Sequence, residues 1–345
     1  MTTALGPSPL SHKRLAIDMI AASLQEDRGY QAKFLDVLRF QDYNMDLLEK
    51  FQTRTVFCLG TTIATHIFQK EVARLACSHR FLMHLVQAVT ACHDRYLAGS
   101  SYAEPDPLES YNLNSGLVLY QQKLSQPLRP TDRDALFVAA SLTGIASFAT
   151  FQARTVEDGW PLRDGDLNWL RLSSGKHAVV ELIDPSGKES MWKPLIENVA
   201  KEYWAHDVNE ERCTVFDHLC SPRETLISTI ENPYHETIDK LATILALECN
   251  EKNWIRLLCF LMHATPGYTS LLQQKDPWAL MMLAYWYAKV CQARWWLARR
   301  GILEGLAICL YIERNCLEDQ KLQEAVTWPK QILESLMAIE QIEYS

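Results

Sequence analysis

Glycine is scarce, at 13 of 345 residues, about half the roughly 7% of ordinary proteins. That disfavours a turn-rich β fold and a glycine-looped nucleotide site. Basic charge is also short: 34 Lys and Arg against 42 Asp and Glu leave a net charge of −8. A self-sufficient nucleic-acid binder normally gathers a basic excess on one face, so no direct nucleic-acid contact is expected. The ten cysteines include no CxxC pair. Most lie in apolar helical runs, as Cys259 does in IRLLCFLMH, where a thiol behaves as a small buried hydrophobe. The opening MTTALGPSPLSHKR lacks the apolar region of a secretory signal, so reduced thiols and an intracellular, cytoplasmic location are expected. The most apolar stretch, residues 135–151, is 17 residues long with Ser, Thr and Gly inside it. That falls below the length of a membrane span, so it reads as a buried core helix and no transmembrane segment is expected.

Chemical motifs are missing too. There is no GxSxG elbow, Walker A loop, GxGxxG or HExxH, so the common hydrolase, NTPase, dinucleotide and zincin machineries have no visible parts. The aspartate-rich or DxDD motifs of terpene synthases are absent, and Asp164 and Asp166 sit in a Gly/Pro-flanked segment that reads as a solvated loop. Cys213, His218 and Cys220 form a Cys/His group without a fourth ligand at zinc spacing. Neither metal nor cofactor is expected.

What the chain does hold is helix punctuation over a globular composition, 48% hydrophobic and 22% charged. Ser221-Pro222-Arg223-Glu224 is a capping box with proline at the first helical position. Asp276-Pro277 opens the next strong helix in the same way, Thr131 with Asp134 opens the one covering 135–151, and Asn232-Pro233 and Trp328-Pro329 add weaker starts. Helical spacing fills 13–25, 31–52, 55–74, 78–97, 109–124, 131–153, 166–183, 195–206, 222–231, 235–250, 252–263, 277–299, 301–317 and 329–342. Loops are expected at 98–108, 125–130, 155–166, 184–194 and 264–277. Only HAVVELI, 177–183, is ambiguous between strand and helix. The expectation is an all-α fold: a flexible N-terminus over 1–12, then one compact multi-helix domain over 13–345.

Three segments together resemble the regulatory domain of fungal Zn2Cys6 transcription factors, most closely the sterol uptake control type. The first runs from Cys77 to His93 (CSHRFLMHLVQAVTACH), similar to that family's LLHALLALSALHL-like helix. The second is Asn168 to Gly175 (NWLRLSSG), which looks like its WLRLLRG stretch. The third is Asp276 to Tyr285 (DPWALMMLAY) with Arg294-Trp295-Trp296-Leu297 and the late Trp328-Pro329. The resemblance spans about 35–342. It implies an all-helical domain that holds a sterol or similar hydrophobic ligand, and a dimer-forming surface in some members, so a homodimer is an expected assembly. It also implies a nuclear location if the chain is part of a transcription factor. The family's zinc-cluster DNA-binding half, CxxCxxxxxxC, has no counterpart, since no cysteine precedes Cys58. The start MTTALGPSPLSHKR reads as a natural N-terminus of a stand-alone chain.

The candidate ligand-binding residues follow the third segment. Trp278, Met281, Met282, Tyr285 and Trp286 fall at i, i+3, i+4, i+7 and i+8, one apolar stripe on a helix that Leu280, Leu283 and Tyr287 make apolar nearly all round. Such a stripe is either core packing or the wall of an adaptable cavity, because thioethers repack around irregular ligands. Met262 and His263, at the end of the 252–263 run, complete the set. Tyr285, His263 and His93 are the candidates for a catalytic or polar contact to a ligand oxygen. Both histidines also suit helix C-terminal capping. Arg294, Arg299 and Arg300, near Trp295 and Trp296, read as a solvated helix end, or as a cation–π or carboxylate clamp. Trp160, Trp169 and Trp192 read as structural anchors.

Two functions fit. One is a cofactor-independent cyclase or pericyclase, of intramolecular [4+2] type, on a terpenoid-like biosynthetic intermediate. Holding a substrate in a near-attack conformer needs little acid–base machinery. The alternative is the sterol- or lipid-sensing regulatory domain of a transcription factor.

Overall fold

The computed structural model describes residues 37–99, 105–151, 153–159, 167–187, 189–204, 214–219, 232–251, 253–262 and 265–343. The expected N-terminal segment 1–12, the helices 13–25 and 222–231, the Ser221 capping box, Asp164, Asp166, Trp160, Cys213, Cys220 and His263 lie outside these residues. Among those described, all regular structure is helical and there is no strand. None of these helices is long and apolar enough to cross a membrane.

The first half is built around α4 (Arg80–Leu97), buried continuously from Phe81 to His93. It packs against α1 (Val37–Thr53), α5 (Pro107–Leu124) and α6 (Arg133–Ala149). A buried polypeptide must satisfy its own backbone, and helices do so internally; this is why a chain so apolar here remains helical. Between α1 and α4 the expected single helix over 55–74 is broken. A 3-10 turn (Thr55–Cys58) is followed by α2 (Thr62–Ile67), a π turn (Phe68–Val72) and α3 (Ala73–Ser78). Thr61 caps α2 by accepting from the Ala64 amide at 3.2 Å. HAVVELI is helical: α7 (Asn168–Ile183) runs through it and packs on α6. After α8 (Lys193–Trp204), α9 (His235–Ala246) and α10 (Trp254–Met262), the expected loop 264–277 contains a helix, α11 (Pro266–Gln273). Its cap is Thr265, which accepts from the Tyr268 amide, with proline at the first position.

The second half is a layer of three long helices, α12 (Pro277–Val290), α13 (Trp295–Asn315) and α14 (Gln320–Glu343), each packed on the other two. The break between α12 and α13 falls at 291–294 rather than at the expected 300. Arg294 there is extended, at φ −149° and ψ 141°. Gly301 and Gly305 let α13 approach closely, because a Cβ at either would collide, with the Cys291 sulfur and the Leu333 side chain respectively. Helix α14 starts at Gln320, not at Pro329, and carries that proline in its interior.

The halves meet where α13 packs on α6. Arg300, buried to 7% exposure, donates to the carbonyls of Ser147, Phe148 and Thr150 at 3.1–3.3 Å and to Glu304 at 2.7 Å. It therefore caps the C-terminus of α6, whose last carbonyls have no partner in their own helix. Arg299 is also buried and donates to the Ala153 carbonyl. The solvated-end reading of these two arginines is thus corrected.

Candidate functional site

Asp276 starts α12 as the sequence indicates, its carboxylate accepting from the Ala279 amide at 2.9 Å. From Ala279 to Ala288 every residue of α12 is buried, with Met281 and Met282 at 0% exposure. The polar atoms on this helix are turned to structural work. Trp286 donates its indole N–H to the Leu257 carbonyl on α10 at 2.9 Å. Its ring stacks on Trp169, 6.0 Å away and 8° from parallel, and on Phe260 at 5.5 Å. Tyr268 donates to the Ala279 carbonyl. The Tyr285 hydroxyl donates to the Ala325 carbonyl at 2.9 Å. That carbonyl is the one Pro329, four residues on and lacking an N–H, leaves without its helical donor. Met262 belongs to α10, but its side chain lies outside the described residues.

Around Tyr285 the stripe opens toward solvent through a chain of rings. Tyr285, itself buried, stacks on Trp328 at 4.9 Å and receives the edge of Phe216 at 5.0 Å. Phe216 in turn meets Trp278 at 6.3 Å, and the exposed His218 sits against Trp278 at 4.5 Å. Trp278 is half-buried and Trp328 is 38% exposed. The sequence placed Trp278 and Tyr285 on one stripe. Phe216 and Trp328 were missed as site residues because 69 and 43 residues separate them from Tyr285. The cluster forms an aromatic surface that runs from the core to the outside.

His93 stands apart from this cluster. It does not end its helix, because α4 runs on to Leu97, so the capping role is replaced by a different one. The ring is buried to 5% exposure and stacks on Trp295 at 4.7 Å. Nδ1 lies 3.0 Å from Thr55 Oγ1, and Nε2 lies 3.5 Å from the sulfur of Cys58, which is 3.8 Å from Nδ1. Burial, with the nearby Arg54 cation, pushes the imidazole down to about 4, so it is neutral at physiological pH. Burial pushes the Cys58 thiol up to about 11, against the opposing pull of Trp295, Arg294 and Arg54. Cys58 was not singled out from the sequence, since 35 residues and a 3-10 turn separate it from His93.

Arg294 does not stack on Trp295 or Trp296. Its guanidinium lies over Trp254 at 4.7 Å, pairs with Glu251 at 2.7 Å and donates to the Gly60 carbonyl. Trp169 and Trp192 are anchors as expected, and Trp192 donates to the Asp134 carbonyl at 3.2 Å. No protein-family model matches the chain, and no curated protein matches it.

Proposed function

We propose that the chain binds a hydrophobic, sterol- or terpenoid-like small molecule at the Trp278–Tyr285–Trp328 cluster, and that it promotes an intramolecular [4+2]-type cyclisation of that molecule without metal or cofactor. The carrying observation is the ring path from buried Tyr285 to half-buried Trp278 and exposed Trp328. The resemblance to the fungal regulatory domain supports a hydrophobic ligand. The absence of hydrolase, NTPase and terpene-synthase motifs from the sequence leaves room for a reaction driven by conformation. Burial of a polycyclic ligand at about 25 cal/mol per Å² of apolar area is ample for micromolar binding.

The sensing domain of a transcription factor is the second reading, favoured by the same resemblance; binding without turnover is what separates it from the cyclase. The test exposes purified protein to a panel of sterols, diterpenoids and linear or macrocyclic polyenes. Binding is read by thermal shift and native mass spectrometry, and turnover by appearance of an isomer of equal mass. Trp328→Ala and Trp278→Ala should each weaken binding several-fold while the circular dichroism stays helical. If no member of the panel raises the melting temperature, or if both variants bind as the parent does, the site is not here.

A further inference from the structure

Between α6 and α7 the chain makes a 3-10 turn, Glu157–Gly159, that packs on α13. Gly159 lets it sit close, because a Cβ there would stand 3.3 Å from the Leu303 carbonyl oxygen. The neighbouring polar groups bond within the segment. The Asp158 carboxylate accepts from the Arg154 and Thr155 amides at 3.2 and 3.1 Å, and Thr155 Oγ1 accepts from the Asp158 amide at 3.2 Å. Such side-chain to backbone bonds fix a turn locally. Glu157 takes no part in them and is exposed.

Glu157 and the last turns of α13 bound a half-open groove of about 320 Å³, lined by Glu157, Leu310, Tyr311, Arg314 and Asn315. It shares no residue with the Trp278–Tyr285–Trp328 cluster. Leu310 and Tyr311 are half-buried and give the groove an apolar wall. Its charges are of opposite sign, a carboxylate from the turn and a guanidinium from the helix. Among the described residues, neither Glu157 nor Arg314 makes an ion pair or a side-chain hydrogen bond, with each other or with a third group. Asn315 donates from Nδ2 to the Tyr311 carbonyl at 2.9 Å, which leaves its Oδ1 as an acceptor. Two opposite charges that line one groove without meeting can each take a counter-charge of their own. One small molecule satisfies both only if it carries both signs.

We propose that this groove binds a free α-amino acid with an apolar side chain. The ammonium donates to Glu157 and to Asn315 Oδ1. The carboxylate accepts from Arg314, whose planar fork matches two carboxylate oxygens. The side chain lies on Leu310 and Tyr311. The groove is at the small end of ligand sites in volume, which suits a molecule of leucine size.

Full-length protein would be titrated with L-leucine, with isocaproate, which lacks the ammonium, and with isoamylamine, which lacks the carboxylate. Binding is read by saturation-transfer NMR on the ligand methyl groups. Leucine should bind saturably and about threefold or more tighter than either half-molecule, a modest margin because both charges face solvent. Glu157→Gln should remove the margin over isocaproate and leave the margin over isoamylamine; Arg314→Gln should do the reverse. Both residues are exposed, so both variants should keep the parent's circular dichroism and melting temperature, and lost binding is then not unfolding. Absence of saturable leucine binding at concentrations on the order of tens of millimolar overturns the proposal. Equal binding of the three compounds, or margins that survive both substitutions, overturns it as well.

Discussion

Asp132 has no exposed surface, and its carboxylate is held by Lys123 at 2.6 Å, Arg129 at 3.1 Å, the Arg129 amide at 3.0 Å and His79 at 3.5 Å. Hydrogen bonds from Arg129 and Lys123 outweigh the cost of burial and hold the carboxyl well below its ordinary 3.8. A carboxyl depressed in the folded state contributes stability that is fully present above the unfolded pKa and lost as pH falls through the folded one. The contribution should therefore be intact at neutral pH and decline only below about pH 4. Asp132→Asn should cost about 3–5 kcal/mol at pH 7, the usual loss when one member of a buried charge group is removed. Urea melts of parent and variant at pH 7 and pH 3 should show the gap narrowing in acid. Tyr287, Glu304 and Arg300 form the corresponding buried group on α12 and α13, with the Tyr287 hydroxyl donating to Glu304 Oε2. Arg300→Leu should cost a similar amount, because it strips Glu304 of its counter-charge and α6 of its cap. Adding Glu304→Leu should recover part of the loss, as measured by the same melts.

At the level of the helix, the bond from Tyr285 to the Ala325 carbonyl compensates for Pro329. Tyr285→Phe should destabilise by about 1–2 kcal/mol, since it leaves a buried carbonyl unpaired. In a Pro329→Ala background the helix supplies its own amide to Ala325, and the same change should cost clearly less. A double-mutant cycle with no coupling between the two positions would count against this account. The bond also explains why the late Trp328-Pro329 pair misled as a helix start: the signal was local, and the tyrosine that lets α14 continue through it lies 40 residues away. Helix α12 was legible because its cap, its first-turn proline and its unbroken apolar run agree. The break at 291–294 was not, because no proline or glycine marks it. Arg294 is extended there through contacts with Gly60 and Glu251, far away in sequence. Helix α11 had a legible threonine–proline start, but its eight residues with Gly267 inside blend into the loop residues on either side.

Across the whole molecule, apolar side chains from α1 through α14 belong to one buried cluster. Arg300 ties the C-terminal layer to the α6 end of the first half. Unfolding should be a single transition, with far-ultraviolet ellipticity and tryptophan emission changing together in guanidinium; separate midpoints would mean that the halves melt independently. The all-α class was readable because it rests on periodicity and the near-absence of alternation. The candidate stripe was readable as a stripe but not as a site, because its surface mouth is made by Phe216 and Trp328 from other parts of the chain. That same arrangement turns the protein into its own optical instrument. Trp169 and Trp286 are stacked in the interior, whereas Trp328, among the described residues, is the tryptophan most open to water. Interior indoles emit toward the blue and wet ones toward the red, so among the described side chains exposed Trp328 and half-buried Trp278, both at the mouth of the proposed site, contribute to the red edge of the spectrum. A molecule arriving there would dim that edge, and Trp328→Phe would shrink the response while leaving the blue signal of the fold in place.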